Sequence, residues 1–102
     1  MKQQPTIQRA PAHYRAERAE ALSTCALGDI LLIYHRPSGQ THMVISPVPE
    51  IMDALGARGA ATAHEVHCRL SRRFDLGAGP EAIASIEAHL ENLVALGLAR
   101  RG

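Results

Sequence analysis

Two stretches of β-forming residues, joined by a short polar turn, constrain the fold of this chain more than any other feature. Ile30–His35 is a continuous run of strand-forming residues and is too short for a typical helix. The next five residues have turn composition, since Pro37 presets one φ angle and Gly39 accepts a positive one. Thr41–Ile45 then returns to strand-forming residues. The sequence therefore predicts a β-hairpin over residues 30–45.

The residues before this hairpin give a weaker signal. Residues 1–15 contain two prolines and no hydrophobic periodicity, so we expect a mobile tail there and a single domain over residues 16–102. Residues 16–27 favour a helix in their first half and a strand in their second half. Gly28-Asp29 predicts a turn before the hairpin.

Two helices are predicted directly after the hairpin from their start signals. Ser46 is expected to cap the first, with Pro47 at its first helical position, and Gly56 ends it. Thr62 and Glu65 have the spacing of a capping box, which starts the second helix. We expect these helices near residues 48–56 and 63–74. Their apolar stripes comprise Ile51, Met52 and Leu55 in the first and Val66, Leu70 and Phe74 in the second.

A third helix is predicted near residues 80–96. Pro80 opens it, and Gly97 has the position of a left-handed C-terminal cap, after which Leu98 folds back onto the last turn. Its apolar residues follow the helical period: Ile83, Ile86, Leu90, Leu93 and Val94. The predicted fold class is therefore α+β, a small antiparallel sheet of two or three strands followed by three helices, and a winged helix-turn-helix has this composition of elements.

Length and composition narrow the class of protein. The 102 residues allow one modest core, and aromatic residues make up only 3%, so a second subunit, as in a homodimer, is a natural source of added stability. A net charge of +1 is too small to indicate nucleic-acid binding. The N-terminus lacks the apolar run of a signal peptide, no segment reaches membrane-spanning length, and Cys25 and Cys68 are expected to be reduced. We therefore expect a cytoplasmic protein without a membrane role.

Two sequence stretches and one residue pair resemble a known family. Ser38-Gly39-Gln40-Thr41-His42-Met43-Val44, followed by Ile51-Met52 and by Leu93–Leu98, resembles the PqqD-like proteins, in particular the branch found beside HPr-kinase-related proteins. The resemblance covers roughly residues 14–99. The Ser-Gly-x-Thr-His element is its most specific part. The chain departs from the family at the corner between strand and helix, where Ile45, Pro47 and Pro49 stand.

The resemblance implies a winged-helix peptide chaperone, also called a RiPP recognition element, which acts in natural product biosynthesis. Such a domain binds the leader of a ribosomally made precursor peptide and presents it to an HPr-kinase-related or other modifying enzyme, without a cofactor or catalysis of its own. The leader typically adds a strand to the sheet edge and packs beside the last helix. Carried over by position, the implied peptide-binding residues are Thr41, His42, Met43, Val44 and Ile45 on the strand and Ile83, Ile86, Glu87 and Leu90 on the helix.

An edge strand supports this mechanism on physical grounds, because its unpaired N–H and C=O groups can bind any extended peptide. In a strand, Met43 and Ile45 share one face and His42 and Val44 the other. The sequence leaves open which face is buried. It also leaves open whether His42 fixes the hairpin or contacts the peptide.

Other site hypotheses are weaker. His64, His67 and Cys68 would share one helix face, but three zinc ligands on one short helix lack an evident fourth. No serine or cysteine shows a relay to a base, and Glu50 has the position of a helix-end or solvated charge. A winged-helix DNA-binding regulator and an adaptor for an unrelated protein remain alternatives. DNA binding is disfavoured because residues 80–96 contain three glutamates and no lysine or arginine.

Overall fold

The computed structural model describes residues 11–56, 59–75, 77 and 79–102 and shows an α+β chain with two antiparallel sheets and three helices. A single 3-10 turn, Ala19–Ala21, precedes the second strand. The strands are β1 (Tyr14–Ala16), β2 (Leu22–Leu27), β3 (Ile30–His35), β4 (Gln40–Ile45) and β5 (Ala99–Arg101). The helices are α1 (Val48–Gly56), α2 (Ala63–Ser71) and α3 (Pro80–Ala95).

The larger sheet has the strand order β2-β3-β4 and confirms the predicted hairpin. Ile33 at its centre lies opposite His42 on β4 and Thr24 on β2. The segment whose assignment stayed open, residues 16–27, contains the 3-10 turn and then β2, which pairs with β3 through the predicted turn at Gly28-Asp29. Gly28 has a φ of 60°, which suits the first position of a tight two-residue hairpin.

One hydrophobic core joins this sheet to all three helices. On the inner face of the sheet, the side chains of Ile33 and Val44 are buried. Helix α1 packs against β4. The helices contribute the positions that the helical period predicts, with the exception of Phe74. The buried core residues of the helices are Ile51, Leu55, Ala63, Val66, Leu70, Ile86, Leu90 and Leu93.

A second, two-stranded sheet pairs β1 with β5 and corrects the expected domain boundary. Tyr14 lies opposite Arg101 in the strand register, exchanges two 2.8 Å backbone hydrogen bonds with Ala61, and is fully buried. The expectation of a tail through residue 15 is therefore wrong for Tyr14 and Arg15, while residues 1–10 of that predicted tail lie outside the described residues. Both partners of β1 are distant in sequence, so no local pattern announces this strand.

The helix-boundary signals are largely confirmed. Thr62 and Glu65 form both reciprocal hydrogen bonds of the capping box, at 3.1 and 2.8 Å. After α3, Gly97 has a φ of 81°, its N–H donates to the carbonyl of Val94, and the N–H of Leu98 donates to the carbonyl of Leu93. These two bonds constitute the Schellman closure that the sequence predicts.

Two expectations drawn from the helix signals are wrong, the Ser46 cap of α1 and the burial of Phe74 by α2. Ser46 does not cap α1, because the N–H of Ile51 donates to the carbonyl of Pro47 and the Ser46 hydroxyl lies 3.1 Å from Glu50 Oε2. The helix therefore begins at Val48, one residue later than a Ser46 cap implies. In addition, α2 ends at Ser71 rather than at residue 74, which leaves Phe74 beyond the helix and 42% exposed instead of in the core.

Candidate functional site

The outer edge of β4 is the first element of the candidate site. Within the described sheet β4 pairs on one side only, with β3. In an antiparallel edge strand, alternate residues direct their N–H and C=O groups away from the partner strand. The edge therefore presents a row of backbone donors and acceptors to an extended chain.

The structure settles which face of β4 is buried. His42 and Val44 point to the core side, whereas Thr41, Met43 and Ile45 lie on the opposite, exposed face. Val44 is a core residue, so of the predicted peptide contacts on this strand it offers only its backbone. The side chains available to a bound peptide are the three exposed ones and the half-buried ring of His42.

The predicted contacts on α3 are only partly accessible. Leu90 is 0% exposed and Ile86 is buried, so neither side chain is available to a peptide on this surface. They occupy the same apolar stripe that packs into the core, and a sequence pattern cannot separate a core stripe from a binding stripe. Ile83 is half-buried and Glu87 is exposed. The main contacts of α3 are with α1, α2 and β5, and the helix that packs against β4 is α1.

Two polar atoms beside β4 are buried without a hydrogen-bond partner among the described residues, His42 Nε2 and Glu50 Oε1. His42 is on the inner face of β4, and Glu50 is in the first turn of α1, the helix that packs there. Buried polar groups are nearly always paired, so these two atoms are candidates for partners outside the described chain, such as water or a bound ligand. Glu50 is a helix-end charge, as its position predicts, but one of its two carboxylate oxygens is buried.

An open groove continues from the end of β4 to the start of α1. Its walls include Ile45 and Ser46 from the end of β4 and Pro49 and Glu50 from α1, with Leu31 from the neighbouring strand. The unpaired carboxylate oxygen of Glu50 thus belongs to a residue that lines this groove. Gly28 and Asp29 of the turn between β2 and β3 also line this groove, so it lies at the end of the sheet.

At the hairpin turn, three side chains form a hydrogen-bonded network that the sequence did not reveal. His35 Nδ1 lies 2.7 Å from Ser38 Oγ, and His35 Nε2 lies 3.1 Å from Glu17 Oε2. Both His35 and Glu17 are buried, and Arg100 pairs with the other carboxylate oxygen of Glu17 at 2.9 Å. The expectation that no serine stands beside a base is therefore wrong for Ser38.

The surroundings of Ser38 indicate a structural role for this hydrogen-bonded network. An acyl-transfer nucleophile needs free N–H donors near it to stabilise an oxyanion. Here the N–H of Gly39 donates to the carbonyl of His35, and the N–H of Gln40 donates to Ser38 Oγ itself. The two backbone donors nearest to Ser38 are thus already hydrogen-bonded within the turn. Through Glu17 and Arg100, the hydrogen-bonded network connects the hairpin to the segment before β2 and to β5.

The histidines and cysteine of α2 do not converge. His64 Nδ1 lies 3.8 Å from Cys68 Sγ, but the ring of His67 contacts the carbonyl of Gly77 at 3.1 Å. Each ring thus has a local partner. None of the three described helices combines the length and apolar character that crossing a bilayer requires.

Comparison of the chain with protein-family models, with curated proteins and with solved structures gives no match in any of the three.

Proposed function

We propose that this domain is a non-catalytic peptide chaperone that binds the leader of a ribosomally made precursor as an additional strand on β4. The observation that carries the proposal is the open edge of β4 with the unpaired polar atoms of His42 and Glu50 beside it. An added strand supplies main-chain partners to the edge, and its side chains reach both faces of the sheet. The domain then presents the peptide to a modifying enzyme, of the HPr-kinase-related or another class.

The two faces of the added strand meet different chemistry. On the inner side, a peptide side chain with a hydrogen-bond donor would satisfy Glu50 Oε1, and His42 Nε2 would donate or accept according to its tautomer. On the outer side, Met43 and Ile45 offer apolar contact. The half-buried Ile83 and the exposed Glu87 are the contacts on α3 that remain part of the proposal.

The expected affinity follows from ordinary magnitudes. Four or five main-chain hydrogen bonds of about 1 kcal/mol each roughly offset the ordering of a flexible peptide. Two or three apolar side chains add about 1.5–3 kcal/mol each where they become fully buried. Micromolar affinity therefore needs no large interface.

Two further parts of the proposal concern fold and location. A sheet hairpin followed by three helices, with α2 and α3 packed together, supports a winged-helix assignment. Cys25 and Cys68 are free, exposed thiols, which suits a reducing compartment such as the cytoplasm.

Amide chemical-shift mapping tests the binding mode. The probe is a synthetic peptide that covers the leader of a short reading frame beside the gene, with a scrambled peptide as its control. We expect the shifts of residues 41–45 and of Glu50 to change and those of β2, the other edge of the sheet, to stay unchanged. A response confined to β2, or to α2, would show that the edge of β4 is not the site.

A matched pair of variants tests the inner face. His42 and Thr24 flank Ile33 in the same register, one on each edge strand. His42→Ala should weaken peptide binding about tenfold, since a hydrogen bond to a buried polar group is lost. Thr24→Ala should leave the dissociation constant unchanged. Equal effects of the two substitutions in isothermal titration would argue against a role for His42 in the site.

A further inference from the structure

The outer face of the three-stranded sheet is unusually apolar. Strand alternation and the register place six apolar side chains on it: Leu27, Ile30, Leu32, Tyr34, Met43 and Ile45. Three of these are more than half exposed, Met43 at 66%, Ile45 at 59% and Leu27 at 56%. The described helix that packs against β4 lies on the opposite face, where Val44 is buried.

This face also lacks charge. Its other three members are Ser23, Cys25 and Thr41, so none of its nine residues is an Asp, Glu, Lys, Arg or His. A partner with a strongly charged surface would find no complementary group here. A second copy of the same face meets no like-charge repulsion and buries apolar surface on both sides.

The size of the face suits a weak interface between two copies. Three strands of six residues make a flat face of about 14 by 20 Å. Because side chains protrude from it, its accessible area is larger than this flat area, on the order of 500 Å². Two copies would bury about 1,000 Å² in total, which lies at the lower limit for a specific interface. Weak, transient interfaces are found at this end of the size range.

We propose that two copies of this chain pack these faces together, as a two-layer sandwich with the helices outside. Twisted sheets that pack in this way cross at about 30°. The contact uses the side chains of the sheet face and leaves the backbone edge of β4 free for strand addition. The two proposals share the side chains of Met43 and Ile45, so a bound peptide and a second copy would compete for these two residues. This proposal does not depend on the proposed peptide binding, and it leaves the edges of both copies open.

The two free cysteines provide an internal test. Cys25 lies on the outer face, opposite Leu32, and Cys68 lies on α2; both are exposed in the single chain. Alkylation with iodoacetamide, under reducing conditions and followed by mass spectrometry, gives a rate for each thiol. As the protein concentration rises from about 2 to about 200 μM, the rate for Cys25 should fall about fivefold or more relative to Cys68, as mass action requires for a dissociation constant of about 10 μM.

Sedimentation velocity on the same samples measures association directly. The wild type should form a dimer in this concentration range, whereas Leu27→Lys should stay monomeric because it places a charge in the apolar contact. Phe74→Lys is the matched control, since it also replaces an exposed apolar residue, but away from the sheet face, and it should dimerise like the wild type. Circular dichroism confirms that both variants are folded.

Three outcomes would overturn the proposal. The wild type could stay monomeric with Cys25 as reactive as Cys68, which would leave the face to a different partner. A dimer in which Cys25 stays reactive would place the interface on another surface, such as the edges of β4. Slow alkylation of Cys25 at every concentration would indicate that another part of the same chain covers the outer face of the sheet.

Discussion

At the scale of single residues, Glu17 shows how a buried charge is held in this fold. Its carboxylate contacts the ring of His35 and the guanidinium of Arg100, and it accepts the backbone N–H of Arg18 at 3.0 Å. The hydrogen bond from His35 is the largest cause that lowers the pKa of Glu17 below its ordinary value of 4.5, against the opposing effect of burial. The ionised form is therefore the one that the folded chain stabilises.

The sign of this shift gives a pH prediction. Because the pKa of Glu17 is lower in the folded state, its contribution to stability is present above the ordinary value of 4.5 and is lost as the pH falls through the lowered pKa. Glu17→Gln should cost about 2 kcal/mol of unfolding free energy at pH 7, as expected for hydrogen bonds to a charged group. The difference from the wild type should shrink as the pH falls below 4.5 and through the lowered pKa, because the wild-type carboxyl then becomes neutral.

Chemical denaturation at a series of pH values measures this difference. Glu87→Gln is the isosteric control, because Glu87 is exposed on α3. Its unfolding free energy should stay close to that of the wild type at every pH. A Glu17→Gln variant with wild-type stability at pH 7 would contradict the assigned role of the carboxylate.

At the scale of elements, β1 is a strand that no local sequence pattern predicts, although the fold depends on it. It closes a small sheet with β5 and bridges to Ala61 before α2. Tyr14 fills the core from this strand, and its hydroxyl donates to Glu91 Oε2, which Arg101 of β5 also contacts. Both ends of the described chain are thereby fastened to α3.

Tyr14→Ala should therefore destabilise the protein strongly. Removing a large buried aromatic side chain typically costs about 3–5 kcal/mol, and this one also carries the hydrogen bond to Glu91. Arg15→Ala changes the exposed neighbour in the same strand and should cost less than about 0.5 kcal/mol. Urea unfolding of the two variants makes the comparison. Equal stabilities would mean that β1 contributes nothing to the cooperative core.

At the scale of the whole molecule, several arginines have partners within the described chain. Arg100 and Arg101 pair with Glu17 and Glu91, and Arg69 donates to the carbonyl of Ala54 at 2.9 Å. The exposed glutamates of α3, Glu81 and Glu87, lie on the helix that a winged-helix regulator would bring to DNA.

We therefore predict weak DNA binding without sequence preference. In a mobility-shift assay at physiological salt, affinity should be no stronger than about 1 μM, within the range of non-specific contacts. Raising the salt concentration should abolish whatever binding remains, because it rests on a few phosphate contacts. Sub-micromolar, sequence-dependent binding would make a DNA-binding regulator the better proposal. It would contradict the argument that the glutamates of α3 disfavour DNA binding.

The elements that the sequence predicted are those with local signals. The hairpin of residues 30–45 follows from strand propensity and turn chemistry, α2 from its capping box, and the end of α3 from Gly97 and the residue after it. In each case the residues that form the interaction are near neighbours in sequence, so the physics that determines the structure is readable along the chain. The same holds for the strand that contains the candidate edge.

What only the tertiary structure decided depends on contacts between distant residues. β1 and β5 are almost at opposite ends of the described chain, yet they pair. The ring of His35, which contacts Ser38, also contacts the distant Glu17. Leu90 is buried in the core and is not on the surface. The face of β4 that is buried was undecided for the same reason: alternation divides the strand into two rows, but only packing against α1 selects one of them. Local propensity fixes which elements form, and burial fixes which of their side chains remain free to bind.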